Sequence, residues 1–142
     1  MIKSSWRWLG ALLLVLSSGA SAADFVVIAN PSLGLTNVTV DELRSVYLRT
    51  STSLKKCGHV EPIMQKLGAA HQAFANETLG MNASALWTYY RQQMFTGTGG
   101  MPRIVEGDEN VVSYVKKTKN AVGYVSKEAA VEGVNVLKLA GD

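Results

Sequence analysis

Ala23–Tyr47 reads ADFVVIANPSLGLTNVTVDELRSVY. Phe25, Val26, Val27 and Ile28 form an unbroken β-branched and aromatic run, the signature of a strand covered on both faces. Asn30-Pro31-Ser32 ends it, because proline cannot continue a central strand. Thr39 with Glu42 three residues on spells a capping box, and Val40, Leu43, Val46 and Tyr47 then share one helical face. A buried strand that turns into a capped helix is the opening of an α/β layer fold.

The rest of the chain repeats that alternation. Thr50 to Gly58 is polar and loop-like, and His59–Met64 reads as a short strand weakened by Pro62. Ala69, Ala70, Ala73 and Phe74 recur at helical spacing as far as Gly80, a stop signal. Asn82 or Ser84 caps the next helix, in which Leu86, Tyr90 and Met94 lie four apart. Asp108 opens another helix, with Val111, Val112 and Val115 as its apolar stripe and Lys116, Lys117 and Lys119 near its negative end. Ala121–Val125 and Val134–Leu139 read as strands. The expected order is β, α, β, three helices, then two strands: a mixed sheet flanked by helices, with no internal repeat and no linker.

The ends and the charge narrow the function classes. Lys3 and Arg7, the apolar run Leu9–Leu16 and the small residues Ala20 and Ala22 describe a leader for export, cleaved between Ala22 and Ala23. Residues 1–22 are then a signal peptide and residues 23–142 one domain. The apolar run is far below the roughly 18 residues that span a bilayer. The location expected is the periplasm or the medium, without a lipid anchor, since Ala23 and not a cysteine directly follows the cleavage point. Loss of Lys3 and Arg7 takes the Lys and Arg count from 14 to 12 against 11 acids. A net charge near +1 offers nothing for nucleic acid. Cys57, the one cysteine, has no partner for an internal disulfide.

Catalytic and metal chemistry find little support. His59 and His71 are twelve residues apart, and neither a helical His pair nor a C-x-x-C is present, so no zinc site and no cofactor are expected. A Cys57/His71 nucleophile–base pair has no feature that would orient it. No G-x-S-x-G occurs and no carboxylates pair for acid–base work. The glycine-rich Met94–Arg103, MFTGTGGMPR, lacks the Lys-Ser/Thr of a Walker loop and follows a helix rather than a strand. It reads as a loop that leaves the aromatic helix, with Arg103 either solvated or available to a surface anion. Trp87, Tyr89 and Tyr90 would form a stacking platform if exposed. Their spacing with Leu86 and Met94 favours burial, with Tyr89 the most exposed of the three.

Four segments together resemble a known pattern: ANPS (Ala29–Ser32), TVDELRSVYL (Thr39–Leu48), LWTYYRQQMFTGTGGMPR (Leu86–Arg103) and NVVSYVKKTKNAVGYVS (Asn110–Ser126). Over about residues 24–139 the chain is similar to the phosphate ABC transporter substrate-binding proteins. The resemblance implies a single lobe of a type II periplasmic-binding-protein fold, ending in the Asn120–Val125 segment. It implies a non-enzymatic solute-binding role, with phosphate or another small oxyanion as ligand and an ABC permease as partner. The implied ligand contacts are Asn30 and Ser32 after the first strand, and Gln65, Gly68 and His71 at a helix start. Met64–His71, MQKLGAAH, departs from the family's arginine and Ser-Gly-Thr turn. Ala69 and Ala70 stand where hydroxyls would be, which implies a weak grip. The alternative is a ligand-free interaction module that binds another periplasmic protein or a second copy of itself as a homodimer.

Overall fold

The computed structural model describes residues 24–97 and 99–140. The leader read over residues 1–22 lies outside them. Strand β1 (Phe25–Ala29) is followed by a single 3-10 turn at Pro31–Leu33 and by β2 (Asn37–Thr39). Helix α1 (Val40–Tyr47) starts at Thr39, whose side chain and that of Glu42 form both halves of the expected capping box. A small hairpin, β3 (Ser53–Leu54) and β4 (Gly58–His59), precedes β5 (Glu61–Met64). Then come α2 (Ala69–Phe74), which runs on as a π-helical turn to Leu79, and α3 (Ala83–Thr96). The chain closes with β6 (Arg103–Ile104), α4 (Asp108–Lys117), β7 (Ala121–Ser126) and β8 (Asn135–Ala140).

Among the described residues, six strands form one mixed sheet in the order β2-β8-β1-β7-β5-β6. Strand β1 runs antiparallel to β7 and β8, while β5, β6 and β7 are mutually parallel. Side chains alternate across a strand, and here both faces are covered. Phe25, Val27 and Ala29 of β1 join Val122 and Tyr124 of β7 beneath α1, α2 and α3. Ile28, Ala121 and Val125 point to the other face and pack with Val111, Val112 and Val115 of α4. The result is a helix–sheet–helix sandwich, the fold class that the alternation and the resemblance both imply.

Pro62 sits in an interior strand without harm. Glu61 N–H donates to Asn120 O on the β7 side, so the pleat points the proline nitrogen away from β7. On that other side, β6 pairs only from Ile63 onward.

Three side-chain expectations on α3 need correction. Leu86 and Tyr90 are buried, but Met94 is 54% exposed and Phe95 91% exposed, because the last turn of the helix projects past the core. Trp87 is only partly buried, packed against the margin of the core. Tyr89 is partly buried rather than outward-facing. Its hydroxyl donates to Leu48 O at 2.5 Å, and that of Tyr90 donates to Tyr47 O at 2.5 Å. The two tyrosines thus satisfy carbonyls that the end of α1 leaves open. Tyr90 is buried and Trp87 and Tyr89 are partly buried, so the three rings do not form an open stacking platform. Lys119 falls beyond α4, while Lys116 and Lys117 stand in its last turn.

Candidate functional site

Parallel strands direct their carboxyl ends to one edge of a sheet, the usual place for a ligand crevice in α/β folds. Here that edge belongs to β5 and β7. Gln65 follows β5, Ser126 ends β7, and the chain turns from this edge into α2 and α4. A cavity of about 310 Å³ is lined there by Gln65, Leu67, Gly68, Ala69, Ala70, Gly107, Asp108 and Ser126.

The two helix starts at this crevice differ from the others. Thr39 and Asn82 cap α1 and α3 through their side chains. The caps of α2 and α4 are Gly68 (φ 108°) and Gly107 (φ 88°), with no side-chain hydrogen bond to the helix. Those φ values exclude most other residues. Glycine caps leave the first-turn N–H groups of both helices without intrahelical or side-chain acceptors, and such groups attract anions.

The crevice also holds a negative charge of its own. Asp108 Oδ1 accepts from Gln65 Nε2 at 3.0 Å and from Ser126 N–H at 3.1 Å. Its Oδ2 accepts a short bond from the Ser126 hydroxyl. Burial raises the Asp108 pKa, but the bonds from Ser126 and Gln65 outweigh it and hold the carboxyl below its ordinary range. Asp108 is therefore an acceptor that faces the crevice in ionised form.

Behind the crevice lies a buried polar network. Gln65 N–H donates to the Tyr124 hydroxyl at 3.0 Å, and Gln65 Nε2 also donates to Tyr124 O at 3.0 Å. The Tyr124 hydroxyl stands 2.6 Å from His71 Nδ1. Having accepted from Gln65, the hydroxyl gives its proton to Nδ1, which places the imidazole proton on Nε2. His71 Nε2 is buried and has no hydrogen-bond partner. Burial holds the His71 pKa below its ordinary value, so the ring is neutral. The Tyr124 ring stacks on Phe74 at 4.0 Å between centroids, with an interplanar angle of 9°.

The five sequence-expected contacts therefore divide. Gly68 lines the crevice as the cap of α2. Gln65 lines it too, but both of its amide protons are used, one to orient Asp108. His71 is 1% exposed and serves Tyr124. Asn30 and Ser32 are not brought to this edge. Asn30 N–H bonds Ala121 O at the opposite end of β7, about 16 Å away at the usual strand rise. Asn30 Nδ2 donates to Val115 O and Lys116 O, and its Oδ1 accepts from Ser32 N–H. The Ser32 hydroxyl donates to Lys119 O. Both residues tie the first turn to the end of α4.

Asp108, Gly107, Ser126 and Leu67 are the crevice residues that sequence reading did not assign to a site. A glycine directly before an acidic helix start was a local signal for the first two. Nothing local joins Ser126 to Asp108 across eighteen positions.

Nucleophile chemistry gains no support. Cys57 is partly buried, and burial, then Glu42, raises its thiol pKa, the reverse of activation. Among the described residues, no group of three His, Cys, Asp or Glu is placed to hold a metal. None of the described helices is long and apolar enough to cross a membrane.

No protein-family model matches the chain, and no curated protein matches it in sequence. Solved structures do. A protein from Clostridium perfringens described as a phosphate ABC transporter substrate-binding protein, with bound phosphate, superposes with a TM-score of 0.62 at 18% identity. That match covers 82% of this chain and 44% of the other. The PstS protein of Borrelia burgdorferi gives a TM-score of 0.59 at 13% identity, over 82% and 47% of the two chains. An ABC-type phosphate transport receptor from Vibrio cholerae gives 0.55 at 15%, over 82% and 46%. The chain thus spans less than half the length of the structures it matches. At these identities the likeness is one of fold: the chain adopts a mixed-sheet, helix-flanked lobe of the periplasmic-binding-protein type, similar to that of phosphate ABC transporter substrate-binding proteins.

Proposed function

We propose that this chain is an exported, non-enzymatic solute-binding lobe, with residues 1–22 as its leader. Its ligand is a small protonated oxyanion, phosphate first, taken up in the crevice at the carboxyl ends of β5 and β7. One observation carries the reading: the two helices that begin at this crevice are the two without side-chain caps. Their free N–H groups are the donors. The likeness in fold to a protein solved with bound phosphate supports the same ligand class, and an ABC permease is the matching partner.

Asp108 refines the ligand. A carboxylate accepts but cannot donate, so it favours an oxyanion that keeps a proton at neutral pH. Phosphate does and sulfate does not. The same charge opposes any anion, and among the described residues no arginine or side-chain hydroxyl other than the committed Ser126 lines the cavity. Affinity in the millimolar range follows. Calorimetry with phosphate, sulfate and chloride at equal ionic strength tests this. Phosphate should give heat and sulfate little, and Asp108→Asn should narrow the gap between them. Equal heats for phosphate and sulfate in the unaltered protein would refute the role of Asp108.

A second reading is favoured by exposed apolar surface. Leu67, on the rim of the crevice, is 74% exposed, and Phe95 and Met94 lie open at the end of α3. Such residues mark contact with another protein or a second copy. No heat with any anion, together with a mass that rises with concentration, would favour this interaction module over the receptor.

A further inference from the structure

A cavity of about 410 Å³ lies at the other end of the parallel strands. Its walls are Arg49, Glu61, Pro62, Met101, Pro102, Arg103 and Ile104. That volume is in the range of small-molecule sites.

Arg49 is anomalous in two independent ways. Among the described residues it alone combines a side chain with a positive φ, 67°. It follows the end of α1 at a place where glycine or asparagine is the usual solution. Strain of this kind collects at sites where the side chain has a task. Among the described residues its guanidinium also has no counter-ion, for Arg49 takes part in neither ion pair. Its Nε is buried and has no hydrogen-bond partner. A buried, unpaired guanidinium nitrogen is costly unless something completes it.

The other charges at the cavity are matched to each other. Arg103 Nε meets Glu61 Oε2 at 3.2 Å, and the Tyr114 hydroxyl donates to the same oxygen at 3.3 Å. The Arg103 guanidinium also lies over the Tyr114 ring, 5.2 Å from its centroid. Glu61 is thus spoken for, and the cavity keeps one net positive charge. Pro62, Met101, Pro102 and Ile104 add apolar wall beside it.

We infer that this cavity is a second ligand site, distinct from the crevice, that holds one oxyanion group on a short carbon body. A carboxylate or a phosphate monoester has the acceptor geometry that a guanidinium fork matches. Arg49 makes the principal contact, Arg103 supports it, and the proline–methionine wall covers the carbon body. The net charge of the cavity calls for a single oxyanion group.

Benzoate and phenyl phosphate are the probes, with acetate and inorganic phosphate as partners that lack the body. Arginine Nε–H and backbone amide resonances are followed by NMR during titration. The expected result is a saturable shift of the Arg49 Nε–H, with amide shifts at Glu61, Arg103 and Ile104, and tighter binding of the two aromatic probes. Arg49→Gly should weaken them about tenfold or more, the usual worth of a charge-assisted contact. The same variant should keep or raise the thermal midpoint, since glycine accepts the positive φ. Should Arg49→Gly fail to fold, Arg49→Lys decides: it keeps the charge, loses the fork and should bind more weakly. No shift at Arg49 with any probe, or unchanged affinity in these variants, overturns the site. Shifts confined to Gly68, Asp108 and Ser126 would overturn it while supporting the crevice. Tighter binding of inorganic phosphate than of phenyl phosphate would also refute it.

Discussion

Tyr124→Phe removes one oxygen atom from the centre of the protein and keeps the ring. The stacking on Phe74 and the tilt against Tyr47, 6.0 Å between centroids, are retained. Two buried groups lose their partner together. Gln65 N–H loses its acceptor, and His71 Nδ1 loses its donor. Gln65 is 5% exposed and His71 1% exposed, so water cannot readily replace the hydroxyl. A buried polar group left unsatisfied costs about 1–3 kcal/mol, and two of them give about 2–6 kcal/mol. Against a usual domain stability of about 5–15 kcal/mol that is a large share. Urea unfolding followed by tryptophan fluorescence measures it. The midpoint should fall by roughly 1–2 M with an unchanged slope, given slopes of about 1–3 kcal/mol/M. Combining Tyr124→Phe with His71→Leu should cost less than the sum of the single changes, by about 0.5–3 kcal/mol, because the two side chains share one bond. A midpoint shift below about 0.3 M, or strict additivity, would refute the network as described.

Acid should weaken the fold through His71 before it reaches Asp108. Burial holds the folded His71 pKa below its ordinary value, so the unfolded chain takes up the proton first, through about pH 6.5. Stability should fall as pH drops below that point, and His71→Gln should remove that part of the slope in urea midpoints measured from pH 5 to 8. The Asp108 pKa is shifted down by its partners. Its contribution is therefore present above about pH 4 and lost below. Gly123→Ala should destabilise by about 1–3 kcal/mol through overpacking. The added carbon would stand 3.1 Å from Val111 Cγ1, 3.3 Å from Val115 Cγ2 and 3.5 Å from Ile63 Cβ. A neutral result in thermal unfolding would show that α4 can lift from the sheet at little cost.

The parts of the fold that were legible in the chain are those made by local forces. The apolar run Phe25–Ile28 and the capping box at Thr39 and Glu42 each act within a few residues, and both stand where expected. The stop at Gly80, the valine stripe of α4 and the strands β7 and β8 follow the same rule. Two- and three-residue strands carry no periodicity, so β2, the β3–β4 hairpin and β6 could not be read. They exist because a neighbouring strand offers hydrogen bonds. The segment Gln65–Ala70 was legible as a helix start without hydroxyls or an arginine, since residue types alone reveal both. Its surroundings were not. Asp108 and Ser126 are eighteen positions apart, and His71 and Tyr124 fifty-three. Asn30 and Gln65 seemed equivalent candidates, until the antiparallel pairing of β1 with β7 put them at opposite ends of one strand. Sequence by itself determined the longer helices and strands, because their signals are read within a turn or a pleat. Tertiary structure alone decided the strand order, the charge in the crevice and the unpaired Arg49, because each depends on which distant segments the burial of apolar surface brings side by side.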